Sequence, residues 1–269
     1  AFYNPLMEIN RDISLLAIAT YSDIYDIPIE SIHYVEALAG TGIRGFRAVN
    51  EIGPMHVMLN DINPTCIRLM HFNSRFFPAN IRSHVTILNY DANHLLSSIR
   101  FLNKPIDIID IDPFGTPSPY IDSAIRALKK HHGLLLVTAT DTASLLGKFV
   151  NSCLRKYGIL VAKNDFPTEV GVISLFFFIH KIATKYSLGL KPVFGFYLGH
   201  FIKLGLISIP GRRVADMFWK QVGWVSLEGE FKFKISSLQE PRLGERGIIG
   251  PIWIGEIYDK EFIKQSIKK

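Results

Sequence analysis

The chain has 269 residues, 48% of them hydrophobic, and a net charge of +6. That length can bury a sizeable core and reads as one large domain or one domain plus an appendage, while the basic balance suits a polyanionic partner such as nucleic acid without establishing one. Two cysteines, Cys66 and Cys153, exclude a disulfide framework and a cysteine-built metal site, and the longest apolar run, 170–179, is far short of the roughly 20 residues that cross a bilayer. The expectation is a monomer of the reducing cytoplasm, with no membrane span, signal peptide or metal.

An extended aromatic start, Phe2-Tyr3-Asn4-Pro5, leads into an amphipathic helix over 10–19. From residue 32 strand and helix alternate. Residues 32–37 read as a strand, and Gly40-Thr41-Gly42-Ile43-Arg44-Gly45 as a turn into a helix reaching about residue 50. A second strand over 56–61 is followed by a helix over 64–76, with Pro64 in its favoured first turn. A third strand covers 85–89 and its helix 92–100; a fourth covers 106–111 and its helix 118–131; a fifth covers 133–138. Five βα units with short connections predict a parallel, doubly wound sheet, and right-handed crossovers bring every strand's carboxyl end to one edge. That edge collects Glu36, Asp61, Asp91, Asp112 and Asp141. Further on come a helix near 152–157, a buried helix over 168–186 with Gly189 as its C-cap, and strands over 191–197 and 201–209 expected to be antiparallel neighbours. Composition shifts after Pro210-Gly211, to a short helix over 212–221, a hairpin over 223–234 turning at Glu228-Gly229, and an apolar segment over 248–257. The expected organisation is an α/β domain over 1–210 and a small α+β appendage over 211–269.

Chemistry concentrates in two segments. Asp110-Ile111-Asp112-Pro113-Phe114-Gly115 follows a buried strand and so lies on the edge where open α/β sheets bind ligands. An acid there can accept a hydrogen bond from a substrate amine, Phe114 can stack on a flat base, and Pro113 restricts both its own φ and Asp112. Glu36-Ala37-Leu38-Ala39-Gly40-Thr41-Gly42 is a strand and a glycine-rich turn that matches neither the usual dinucleotide fingerprint nor a P-loop. S-adenosylmethionine (SAM) suits it better, because its ammonium and carboxylate can meet an acid and backbone amides. Asp61, about twenty residues on, suits a ribose, and Asp91 an adenine amine, although each could equally cap a following helix. Asp141 lines the substrate side or caps a turn, and Arg155 and Lys156 grip phosphate or form a solvated face.

Taken together, Phe2-Tyr-Asn-Pro5, Asn10-Arg11-Asp12, Glu36 to Gly45, Leu59-Asn-Asp61, Asp91-Ala92, Asp110 to Gly115, Thr138-Ala-Thr-Asp141 and Cys153-Leu-Arg-Lys-Tyr157 resemble the tRNA (guanine-N2-)-dimethyltransferases. The resemblance implies a class I SAM-dependent methyltransferase, with a Rossmann-like, mostly parallel sheet and a final antiparallel strand, that methylates the exocyclic amine of guanosine, typically position 26 of tRNA. It implies cofactor contacts at Arg11, Glu36, Gly40, Thr41, Gly42, Asp61, Ile62, Asp91, Ala92, Asp110 and Pro113. Asp112 would accept from the guanine amine, and Phe114 and Phe2 would sandwich the base. The chain departs from the family's usual pattern in stopping at Lys269 before a C-terminal tRNA-gripping module, and in having no cysteine after Cys153. It also reads Thr168-Glu169-Val170 for His-Glu-Val, and Gly199-His200-Phe201-Ile202-Lys203 for Asp-His-Tyr-Phe-Arg. The expectation is an intact cofactor half and a reduced tRNA-holding half. Its rivals are a non-catalytic paralogue that binds tRNA or a protein, and a methyltransferase for a different RNA amine.

Overall fold

The computed structural model describes residues 3–101, 105–227, 233–237 and 248–269, so Phe2 and the expected turn at Glu228-Gly229 lie outside the described residues. A 3-10 turn at Pro5–Met7, capped by the Asn4 side chain, opens into α1 (Glu8–Tyr25). There follow β1 (His33–Glu36), α2 (Ile43–Arg47), β2 (His56–Asn60), α3 (Pro64–Ser74), α4 (Ala79–Arg82), β3 (Val85–Leu88), α5 (Ala92–Phe101), β4 (Ile108–Ile111), α6 (Ile121–Ala127) and β5 (Leu134–Ala139). Helices α7 (Thr142–Leu145), α8 (Val150–Tyr157) and α9 (Pro167–Thr184) lead to the long strands β6 (Leu188–Leu198) and β7 (Phe201–Pro210). The chain then runs through α10 (Arg212–Trp219), β8 (Val222–Leu227), β9 (Phe233–Ser237), β10 (Ile248–Trp253) and α11 (Lys260–Ser266).

Seven strands form one sheet in the order β3-β2-β1-β4-β5-β7-β6. Strands β1 to β5 are parallel, and β7 inserts antiparallel between β5 and β6. Strands β4 and β5 are buried at every position, which is why both read as near-continuous apolar runs. Alternate residues feed opposite faces: Ile109, Leu135 and Val137 join one core cluster with α5, α6 and α9, while Ile108, Leu134 and Leu136 join another with α1, α2 and α3. The three-stranded sheet β10-β8-β9 lies against α9, with Val222, Ile249, Ile252 and Trp253 in the same cluster as Leu175 and Phe176. Phe262 of α11 joins the other cluster. No helix among the described residues is long and apolar enough to cross a membrane.

Several boundaries differ from the sequence expectation for local reasons. The helix expected over 118–131 is only Ile121–Ala127. A turn with Tyr120 N–H donating to Pro117 C=O precedes it, and beyond it Leu128 is extended and bridges Ile106. That bridge also delays the fourth strand to Ile108. Gly189 is not a C-cap: it lies inside β6, and the left-handed residue after α9 is Ser187, with φ +53°. The strand starts early because Gly189 pairs with Ile209 across the ladder, where its missing side chain lets Phe218 and Val214 pack close.

Candidate active site

The parallel strands end on one edge, and the turn after β1 opens a cradle there. Gly40 and Gly42 have φ +56° and +73°, a conformation that favours glycine. A side chain on Gly40 would meet nothing within 4 Å, so its outer face is open, whereas Gly42 and Gly45 are held against Leu59 and could not carry one without displacing it. Asn73 anchors the turn by donating to the Thr41 carbonyl at 2.9 Å. Asp61 stands at the end of β2 and accepts from Gly40 N–H at 3.0 Å and from Asn63 N–H at 2.9 Å. Beside it Ile62 is 62% exposed. Asp91 accepts from His94 N–H at 3.0 Å, the capping geometry, and Ala92 is buried in the first turn of α5. An open glycine turn followed by an acid, an exposed apolar side chain and a second acid fits SAM, whose adenosine offers hydroxyls, a flat ring and an amine.

Beneath the cradle lies a cluster of buried charge. Arg44, on α2, pairs with Asp110 at 3.0 Å and Glu36 at 3.4 Å, and its Nη2 donates to Asp112 and, at 3.1 Å, to Asn10. Asp110 also faces Lys203 Nζ at 3.2 Å and accepts from Ser14 at 3.0 Å. Thr138 closes the ring, accepting from Lys203 at 3.2 Å and Asn10 at 3.1 Å. Three carboxylates therefore meet two cations. Burial pushes the Glu36 carboxyl up to about 8, against the pull of Arg44. Burial acts the same way on Asp110, but Arg44 and Lys203 override it and hold that group below the ordinary carboxylate value. Lys203 is itself lowered by burial, which Asp110 opposes. Glu36 accepts from Gly45 N–H at 3.2 Å, which ties the cluster to the turn above it.

Asp112 is the cluster's outlet, its side chain 16% exposed. Pro113 is buried and Phe114 is 86% exposed. Gly115, at φ +89°, is clamped to the loop after β5, its N–H donating to Thr140 Oγ1 at 2.7 Å and its carbonyl accepting from Thr140 N–H at 2.9 Å. Thr116 donates to the Tyr157 hydroxyl at 2.8 Å, and that hydroxyl donates to Asp141 at 2.6 Å. Asp141 also pairs with Lys156 at 3.0 Å. Asp141 therefore neither lines an open face nor caps a turn with its side chain: it bolts α8 to the Asp112–Phe114 loop. Arg11 gives one donor from each terminal nitrogen to the N-terminal segment, Nη1 to Asn4 C=O at 3.2 Å and Nη2 to the Tyr3 hydroxyl at 2.8 Å, with its guanidinium over the Tyr3 ring.

Asn10, Ser14, Arg44 and Lys203 are the members of this site that sequence reasoning missed. The signal was present for three of them: Asn10 and Ser14 stand four apart, on the face of α1 that the apolar periodicity buries. Arg44 stood in plain view inside the glycine motif. Among the described residues no group of three or more His, Cys, Asp or Glu is arranged to hold a metal.

The whole chain, residues 1–269, matches the family described as N2,N2-dimethylguanosine tRNA methyltransferase. It is 38% identical over 271 residues to the tRNA (guanine(26)-N(2))-dimethyltransferase of Methanocaldococcus jannaschii, covering 99% of this chain and 70% of that protein. It is 36% identical over 259 residues to a protein of the same name from Pyrobaculum arsenaticum, covering 96% of this chain and 67% of that one. Among solved structures, the complex of Trm1 from Pyrococcus horikoshii with S-adenosyl-L-methionine aligns with a TM-score of 0.84 at 29% identity, covering 99% of this chain and 72% of that one.

Proposed function

The chain belongs to the N2,N2-dimethylguanosine tRNA methyltransferase family, and on that premise we propose that it methylates the exocyclic N2 amine of guanosine in tRNA, at position 26 and up to dimethylguanosine, using SAM. The observation that carries the reading is the buried cluster in which one guanidinium joins Glu36, under the glycine turn, to Asp112, beside the exposed Phe114. It links a cofactor cradle to an amine acceptor. Glu36, Arg11 and the Gly40-Thr41-Gly42 turn hold the methionine end of SAM. Asp61 holds the ribose, Ile62 packs on the adenine, and Asp91 with Ala92 meets its amine. Asp110 acts through Arg44, and Pro113 sets the entry of the loop. The enzyme works as a single chain in the cytoplasm.

Bound SAM would supply an electrophilic methyl group on a sulfonium, whose S–CH3 bond breaks to leave a neutral thioether. The guanine amine is a poor nucleophile because its lone pair is delocalised into the ring, so the protein's task is placement and charge stabilisation. Phe114 stacks on the base, and Phe2 takes the other face on the strength of the resemblance alone. Asp112 accepts a hydrogen bond from the amine, aims its lone pair and offsets the positive charge that grows on nitrogen as the N–CH3 bond forms. Asp112 is paired with Arg44, and the proton released from the amine leaves toward water at the carboxylate's partly exposed side. A guanosine stacked in tRNA must first be extruded to reach this position.

The test is incubation with radiolabelled SAM and unmodified tRNA transcript, followed by nucleoside analysis. Labelled N2-methyl- and dimethylguanosine are expected, and Asp112→Ala should abolish transfer while SAM still binds. Turnover retained in that variant would remove Asp112 from the mechanism. Label on another nucleoside would move the substrate to a different RNA amine, and no label despite SAM binding would favour the non-catalytic reading.

A further inference from the structure

Helix α8 is fixed from one side and open on the other. Cys153 and Tyr157 are buried, while Asn151, Leu154 and Arg155 are exposed. Just ahead of the helix Phe149 is 55% exposed, with Lys148 Nζ 5.9 Å from its ring centroid. Lys148, Phe149, Asn151 and Arg155 line an open hollow of about 550 Å3, within the range of ligand sites, roughly 300 to 1,000 Å3. Its two cations have no carboxylate within ion-pair distance among the described residues. Lys156, one residue from Arg155, is by contrast neutralised by Asp141. Cations without a carboxylate partner beside an exposed aromatic ring form the pairing that holds a single-stranded nucleotide: the cations take phosphate and the ring takes a base.

The hollow is coupled to the site already described. Tyr157, at the far end of α8, bonds both Thr116 of the Phe114 loop and Asp141 after β5, so hollow and loop share one edge of the sheet. Resting on the tRNA reading above, we propose that this hollow holds a nucleotide flanking the methylated guanosine, its phosphates on Lys148 and Arg155 and its base against Phe149. Extruding a base pulls the backbone on either side out of the helix, and that strained segment needs a seat of its own.

The test measures the affinity of the full chain for unmodified tRNA transcript against salt concentration. Lys148→Ala with Arg155→Ala is expected to flatten the log–log salt slope by roughly 1.4, at about 0.7 per single-strand phosphate contact. Phe149→Ala is expected to weaken binding by between about fivefold and a hundredfold, the range of one lost base stack. SAM affinity should be unchanged in both variants, since none of the three residues touches the cradle. Affinity and slope equal to wild type would overturn the proposal. So would an equal loss in Lys130→Ala, an exposed lysine before β5 on the opposite edge, because the effect would then be general charge. Methyl transfer by the wild-type protein is scored separately, so failure of the enzymatic reading shows there and failure of the hollow shows in binding.

Discussion

At the scale of single residues, Glu36 carries the sharpest consequence. With its carboxyl pushed up to about 8, it holds a proton at pH 7 in the free protein. On the proposed placement of SAM, its ammonium beside Glu36 supplies the missing cation for a cluster in which three carboxylates meet two, and Glu36 is expected to ionise as SAM binds. Calorimetry at pH 7 in buffers of different ionisation enthalpy should therefore report about one proton released per SAM, and Glu36→Gln should abolish the release. The sign is set by the free protein: affinity rises with pH up to about 8, where the proton is already gone, and levels off above. A SAM enthalpy independent of buffer would show that Glu36 does not change its protonation on binding. This behaviour could not be read from the sequence, because the acid at the end of β1 was visible and its enclosure by Arg44 was not. The same holds for Asp110 and Asp112, which look alike in the motif. Burial and register make the first a fully enclosed counter-ion and leave the second partly exposed, as the proposed role at the amine requires.

Among the elements, β7 has a double task. It joins β6 to the parallel sheet, and in the ladder its Lys203 stands opposite Thr138, which aims an ammonium at Asp110. Lys203→Met keeps the length and loses the charge. Removing one partner of a buried pair costs about 3 to 5 kcal/mol. With Arg44 still beside Asp110 the lower end is expected, seen as a melting temperature lowered by roughly 6 to 12 °C for a chain of this size. Adding Asp110→Asn should recover part of the loss, and a double variant no better than the single would assign the defect to packing. The elements most legible in sequence were the buried strands, where apolar runs leave little choice of partner. The ends of α6 were not legible, because Leu128 answers to Ile106 across the chain and not to its helical neighbours. Of the departures from the family pattern, the run ending at Lys203 keeps the one property its environment demands, a cation.

Over the whole molecule, stability should fall on the acid side for a reason unconnected with the site. His180 is buried among Phe218, Trp219 and Trp253 with neither ring nitrogen hydrogen-bonded, and burial lowers its pKa from 6.5 to about 4. The native state refuses a proton that the unfolded chain accepts. Its stability is therefore full above pH 6.5 and declines as pH falls toward 4, by up to about 3 kcal/mol. Denaturant titrations should follow that slope in the wild type and lose it in His180→Leu; an unchanged slope would place the acid sensitivity elsewhere. The Asp110–Lys203 pair has a different reach, in time. Its partners are 93 residues apart in the chain, so at about 5 to 20 residues per second the ribosome finishes the carboxylate some 5 to 20 s before its ammonium. Until then the growing chain has strands β1 to β4 complete but their buried acid only half neutralised. The charge cluster beneath Asp112 therefore cannot be completed until β7 has been made and pairs with β5.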